Sequence, residues 1–387
     1  MVAAFRFLTS GESHGKGLSM VVEGVPAGLP LDEDYIARDL ARRQGGYGRG
    51  GRMQIERDRA EIMSGVRHGL TIGSPIALWL RNRDWENWTE AMSVSPVEAV
   101  VEPVTRLRPG HADLPGVMKY SQGDVRPILE RASARETAAR VAVGAVARRL
   151  LEEFGIAINS HTVVLGGVEA GAGGAVDWDS AEASPLRCAD PDAEKQMIAA
   201  IDEARAAGDS LGGVFEVVAS GVPIGLGSHV HWDRKLDGRI AQAMMSINAV
   251  KGVEVGAGFA VGGLRGSEMH DVIQPDSDRL WKHLTNRAGG IEGGMSNGED
   301  ILVRAAIKPI PTLAKPLPSV DLVTGEQVQA HFERSDVCVV PAAGVVGEAM
   351  LAIVMAEALL EKFGGDHLNE TRRNYEAYQR TIGPRGG

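Results

Sequence analysis

The spacing of apolar and polar positions changes period many times along the chain. Residues 3–9 (AAFRFLT) and 19–25 (SMVVEGV) read as strands bracketing GESHGKG, a loop with glycine on both sides of His14. Asp32 is placed to cap a helix over Glu33–Gln44, stopped by Gly45-Gly46. Short alternating strands follow near 62–66 and 76–80. RDWENWTEAM, with Trp85 and Trp88, then reads as an exposed loop, a lid or a small interface patch. Ser133 stands three residues before Glu136, the capping-box spacing, and predicts a helix from about Ala134 to Phe154 with Gly155 as its stop. Residues 157–168 return as a strand, GGVEAGAGGAVDWDSAEASP has loop composition, and PDAEKQMIAAIDEARAAG predicts an amphipathic helix closed by Gly208. Residues 213–222 and 301–307 alternate as strands. Between them DGRIAQAMMSINAVKGVEVGAG predicts helix, turn and strand, turning near Asn248 to Gly252. Pro341 to Phe363 is apolar nearly all round and predicts a deeply buried helix stopped by Gly364-Gly365.

Strands and helices mixed without regular βαβα alternation predict an α+β sandwich more than a doubly wound sheet. Two helices end alike, in LLEEFG (150–155) and LLEKFG (359–364), each after an arginine-containing motif, ERASAR or ERSD; this hints at a weak internal duplication.

With 387 residues, 44% of them hydrophobic, the chain can bury one large core or two ordinary ones. No apolar run reads as long and uncharged enough to span a bilayer, and the first residues reach a strand without a secretory apolar stretch, so a cytoplasmic location without membrane attachment is expected. Two cysteines, Cys188 and Cys338, make no disulfide framework, and no metal-ligand spacing surrounds either. The net charge of −10 argues against nucleic acid as a partner. Against that background the local basic clusters stand out: Arg38, Arg42, Arg43, Arg49, Arg52, Arg57, Arg59 and Arg67 in one region, and Arg106, Arg108, Arg126, Arg131, Arg135 and Arg140 in another.

Some chemistry can be set aside. Gly46-x-Gly48-x-x-Gly51 matches the dinucleotide fingerprint literally, yet it follows a predicted helix where that motif needs a strand. There is no Walker A motif, and no GxSxG elbow accompanies Ser13-His14. His14 and His111 remain as acid–base candidates, both in glycine-flanked loops. Two such histidines with two arginine clusters imply a strongly anionic ligand, because guanidinium groups stay charged and bind phosphate and carboxylate in pairs. Asp336, in ERSDVC, is either a base or a partner for Arg334.

Five motifs, in order along the chain, resemble the chorismate synthase family: GESHGKGLSMVVEGVPAG (11–28), RPGHAD (108–113), RASARETAARVAVGA (131–145), MSINAVKGVEVGAGF (245–259) and RSDVCVVPAAGVVGEAM (334–350). The resemblance implies a single β–α–β sandwich domain over residues 1–387 that assembles as a homotetramer. It implies conversion of 5-enolpyruvylshikimate 3-phosphate to chorismate and phosphate, with reduced FMN required although no net redox change occurs. Carried over by motif, His111 resembles the acid that protonates the departing phosphate, His14 the histidine beside the flavin, and Asp336 the aspartate that assists proton removal. Arg43, Arg49, Arg52, Arg108, Arg135 and Arg334 resemble anion clamps, and Arg43 and Arg49 also match positions linked to NADPH. Flavin-contacting positions would be Arg131, Ala132, Ser133, Asn248, Ala249, Gly293, Lys308, Pro309, Ile310, Pro311, Thr312 and Arg334. Two rivals from other classes stay in view, an NADPH-dependent flavin reductase and a regulatory anion-binding protein.

Overall fold

Nine strands form two antiparallel sheets: β1 (Arg6–Gly11), β2 (Gly17–Glu23), β3 (Ala60–Ile62), β4 (Ile76–Arg81), β5 (Ala157–Leu165), β6 (Val168–Glu169), β7 (Gly213–Ser220), β8 (Val250–Val255) and β9 (Ile301–Ile307). The computed structural model describes residues 5–50, 58–98, 100–171, 175–277, 280–333 and 336–383. The first sheet has the order β1-β2-β4-β3 and the second β8-β9-β7-β5-β6. Antiparallel pairing throughout, with helices inserted irregularly, makes the chain α+β, as its pattern predicts. Alternation is plain on β4, where Ile76, Leu78 and Leu80 are buried, and on β9, where Ile301, Val303, Ala305 and Ile307 are buried.

The helices that matter here are α1 (Glu33–Gln44), α2 (Asp113–Tyr120), α3 (Arg126–Ala132), α4 (Thr137–Glu152), α5 (Pro191–Ala207), α6 (Leu236–Met245), α7 (Val340–Phe363) and α8 (Leu368–Gln379). Helix α4 packs along α7, α1 touches both, α4 also meets β1 and β2, and α7 meets β5 and β7. Asp32 caps α1 as expected, accepting from the Tyr35 N–H at 2.8 Å, and Gly208 closes α5 in the left-handed region at φ 73°.

The start of α4 differs from expectation. Ser133 is extended and its hydroxyl accepts from the Arg135 N–H, capping a 3-10 turn over Ala134–Glu136 instead of a full helix. The Glu136 carboxylate turns forward to Arg140, 2.8 Å away, so the reciprocal half of a capping box is not made. The α-helix proper begins at Thr137, and α3 precedes it as a separate helix with Pro127 in its first turn. The hinted duplication is not matched by topology either, because α7 is followed by α8 where α4 is followed by a strand.

Helix α7 corrects another expectation. It is 24 residues long with a mean hydropathy of 1.9 in its most apolar window, long and apolar enough to cross a membrane, but 94% of that window is buried inside the fold. Its apolar surface is spent on α4, β5 and β7. Close approach there depends on small residues: a Cβ on Gly144 would lie 2.3 Å from the Ala349 Cβ, and one on Gly347 would lie 2.6 Å from the Phe215 ring. Gly144→Ala is therefore expected to destabilise the protein by about 1–3 kcal/mol, overpacking outweighing the gain in helix propensity. A urea midpoint equal to or above that of the parent protein would contradict this.

One charged residue of α7 is fully buried. This is Glu348, held by Arg42 (2.7 Å), Arg148 (2.6 Å), Arg187 (3.0 Å) and the Ser160 hydroxyl (2.6 Å). Asp39, 3.0 Å from Arg148, and Glu182, 2.6 Å from Arg187, complete a set of three carboxylates and three guanidinium groups. This set ties α1, α4, α7 and β5 together.

Candidate active site

The turn Arg108–His111 is closed by the His111 N–H donating to the Arg108 carbonyl at 3.2 Å, with Gly110 at φ 79°. Asp113, the first residue of α2 and fully buried, reaches back over this turn. Its carboxylate accepts from the Arg108 backbone N–H (3.0 Å), Nε (2.9 Å) and Nη2 (3.1 Å), and makes a short bond to His111 Nδ1. Burial alone would raise the Asp113 carboxyl, but the His111 and Arg108 hydrogen bonds outweigh it and hold the group far below the usual carboxylate range. An ionised Asp113 fixes Nδ1 of His111 as the donor, which leaves Nε2 to hold or deliver a proton.

His14 is built the same way from other parts. Its Nδ1 lies 2.9 Å from Glu130 Oε1, and its backbone N–H donates to Glu130 Oε2 at 2.7 Å. Glu130, on α3, is buried; burial pushes its carboxyl up, and the bonds from His14 more than reverse this, so it is lowered. The loop carrying His14 is pinned by Asn82, whose amide donates to the carbonyls of Glu12, Ser13 and Gly15 at 2.9, 3.1 and 2.7 Å. On one face of the ring lies Trp88, with centroids 4.1 Å apart.

The two histidine units are joined by ions of alternating sign. Arg126 bridges Glu130 (3.2 Å) and Glu333 (3.4 Å), and Glu333 lies 3.8 Å from Arg108. Glu333 is lowered to about 2 by its bond from His331, with burial opposing and Arg108 and Arg126 assisting.

A second cationic cluster surrounds Arg43. Arg43 donates to the Thr137 hydroxyl (2.9 Å) and the Ala134 carbonyl (3.0 Å), and Arg135 donates to Asp58 at 2.6 and 2.8 Å and to Asn82 at 3.0 Å. Asp336 accepts from the Gly50 N–H at 2.6 Å and pairs with Arg49 at 3.3 Å. Burial and the nearby Arg49 and Arg135 charges, set against Asp58 and Asp336, bring Arg43 down to about 10. Its Nη1 is buried without a hydrogen-bond partner, 3.8 Å from Asp58. An anion there would satisfy that donor and relieve the crowding of positive charge.

The remaining predicted positions converge in part. The Asn248 amide donates to the Ala132 carbonyl at 3.0 Å, while its Oδ1 is buried and unpartnered. The Ser133 hydroxyl meets Ser13 at 3.2 Å, next to His14. Lys308 donates through its backbone N–H to the Ala249 carbonyl (3.0 Å) and through Nζ to the Gly110 carbonyl, so the Lys308–Thr312 segment abuts the His111 turn. Burial, with Lys251, lowers Lys308. A Cβ on Gly110 would lie 3.6 Å from Pro311, while Ile310 accepts from Ser210 at 2.7 Å and Pro309 packs against Gly212. Thr312 is buried. Arg131 does not point free: its guanidinium donates to the Thr9 and Gly11 carbonyls at 3.0 and 3.1 Å. Beside it a cavity of about 400 Å³ opens between Thr9, Arg140, Ser246 and Asn248. Gly293, at φ 60°, lies in the turn of a hairpin, where a Cβ would meet nothing within 4 Å. Arg52 and Arg334 lie outside the described residues.

Sequence reasoning missed Asp113, Glu130, Glu333, Asn82, Asp58 and Trp88 as site residues. Asp113 and Glu130 stand within motifs already singled out, RPGHAD and ERASAR, so their carboxylates carried a signal. Asn82 and Asp58 carried none, because their partners lie 53 and 77 residues away.

Comparison with known proteins agrees over nearly the whole chain. Residues 5–360 match the family model described as chorismate synthase. The chorismate synthase of Moorella thermoacetica is 61% identical over 380 residues, covering 97% of this chain and 99% of that one. That of Symbiobacterium thermophilum is 56% identical over 390 residues, covering 98% and 100%. A solved structure titled "Crystal Structure of Chorismate Synthase" superposes with a TM-score of 0.79 at 47% identity, covering 97% of both chains. The paired histidines, the anion-seeking arginines and these matches lead to one conclusion: the chain belongs to the chorismate synthase family.

Proposed function

We propose that this chain catalyses the 1,4-elimination of phosphate and a proton from 5-enolpyruvylshikimate 3-phosphate, a carbon–oxygen lyase reaction that yields chorismate and closes the common part of the shikimate pathway. The observation that carries the mechanism is the Arg108–His111–Asp113 unit, which fixes one nitrogen of His111 and leaves the other to carry a proton. The C–O bond to phosphate breaks with its electron pair leaving on oxygen, and a C–H bond returns its pair to the ring, so electrons balance without net oxidation.

Arg43, Arg49, Arg108 and Arg135, with Arg52 and Arg334, would bind the phosphate and two carboxylates of the substrate. His111, through Nε2, would protonate the departing phosphate. Asp336, oriented by the Gly50 N–H and Arg49, is the carboxylate assigned to the proton lost from carbon.

The residues present fit reduced FMN: a buried unpartnered amide oxygen on Asn248, a cavity beside Arg131, and cations at Lys308 and Arg43 suit a planar, anionic, hydrogen-bonding group. Ala132, Ser133, Ala249, Gly293 and Pro309 to Thr312 would complete its site, with His14 alongside. When bound, the flavin supplies transient electron density that eases C–O cleavage. The same reading includes helices α4 and α7 layered between the sheets of one β–α–β sandwich domain, a homotetramer, a cytoplasmic location without nucleic-acid or membrane partners, and NADPH as reductant of the flavin at Arg43 and Arg49.

One anaerobic experiment tests it. Given the phosphate ester and chemically reduced FMN, the protein is expected to release phosphate and form chorismate, followed by absorbance. Oxidation of NADPH without the ester, and no chorismate, would point to a flavin reductase instead; neither reaction would leave an anion-binding protein.

A further inference from the structure

We propose that Trp88 is a positioning residue for His14, holding the imidazole on Glu130. The inference rests on the reading of His14 as a working group of the site. The indole lies over the imidazole at 4.1 Å with 35° between planes, and the Arg126 guanidinium lies 5.1 Å from the indole ring. Its own position is fixed, since Nε1 donates to Asp84 Oδ2 at 2.9 Å and Asp84 is braced by Asn87 at 2.7 Å.

Asn82 makes the two parts one unit. Its side chain holds the carbonyls on both sides of His14, and its carbonyl accepts from the Trp85 N–H at 3.3 Å to start the 3-10 turn (Arg83–Asn87) that delivers Trp88. The imidazole is thus bounded on one edge by Glu130 and on one face by an aromatic ring. Rotation about its Cβ–Cγ bond would break both contacts, so Nε2 keeps a fixed direction. The indole also keeps water from that side of the imidazole. The charged groups packed about this unit are Glu130 and Arg126 on α3 and Asp84 behind the indole. The Glu130 carboxylate is in direct contact with the ring.

Two measurements decide the matter. The first is steady-state kinetics: Trp88→Ala is expected to lower kcat about tenfold with KM changed less than about twofold, while Trp88→Phe, which keeps an aromatic face, recovers to within about threefold of the parent. The second does not depend on turnover. Stacking on an imidazole quenches indole emission, so His14→Asn should raise tryptophan fluorescence in the parent protein and leave it unchanged in a Trp88→Phe background. An unaltered kcat in Trp88→Ala, or the same fluorescence rise in both backgrounds, would overturn the proposal. If the parent protein itself failed to convert the phosphate ester, the functional reading would fall, and the fluorescence pair would still decide whether Trp88 clamps His14.

Discussion

In a His111→Ala variant, anaerobic turnover is expected to fall about a hundredfold or more, a barrier increase of roughly 3 kcal/mol, because a positioned general acid contributes on that scale. The effect should fall on kcat more than on KM, since Arg108 keeps its bond to Asp113 and can still bind the phosphate. Asp113→Asn provides the companion measurement. The imidazole stays, but it loses the anion that fixes its tautomer, and a smaller loss of about tenfold is expected. Phosphate release in a single turnover checks both. A His111→Ala protein releasing phosphate at the parent rate would remove His111 from the mechanism, whatever its neighbours do.

Glu348→Gln is expected to lower stability by about 3–5 kcal/mol, although Glu348 is a single residue with no contact to His111 among its hydrogen bonds and ion pairs. The substitution leaves three guanidinium groups around a neutral amide in a dry interior, and an uncompensated buried charge costs on that order. The pH dependence has a definite sign. Burial would raise this carboxyl, but Arg148, Arg42 and Arg187 bring it from 4.5 down to about 2. A depressed carboxyl stabilises the fold fully above the open-chain value of 4.5 and loses that contribution as pH falls toward 2. The loss amounts to about 3 kcal/mol across that window. Urea unfolding at pH 7 and at pH 3 should show the parent protein losing stability on acidification and the Gln variant losing correspondingly less. Equal acid sensitivity in the two proteins would show that Glu348 is not the titrating link.

Much of the fold was legible because local rules govern it. Asp32 and Gly208 bound their helices as their chemistry dictates, and the alternation on β4 and β9 survives intact in the sheets. The start of α4 was misread because two good local options competed. Ser133 offers the capping-box spacing, but Arg140 claims Glu136 and the segment tightens to a 3-10 turn. The length and hydropathy of α7 are likewise local properties. Its burial and the partners of its buried Glu348 are not, since they depend on α1, α4 and β5 arriving together.

By itself the sequence pointed to an anionic ligand for its arginines and to proton handling by histidine, and its motif resemblance proposed His14, His111 and Asp336 as working groups. Only the tertiary structure decided what holds those groups. Asp113 and Glu130 each lock an Nδ1, Glu333 and Arg126 join the two histidines, and Trp88 covers one of them. The reason is physical. A residue's chemical type is written in the chain, but its protonation and direction are set by charges and rings brought within about 4 Å, and those come from segments far apart in sequence.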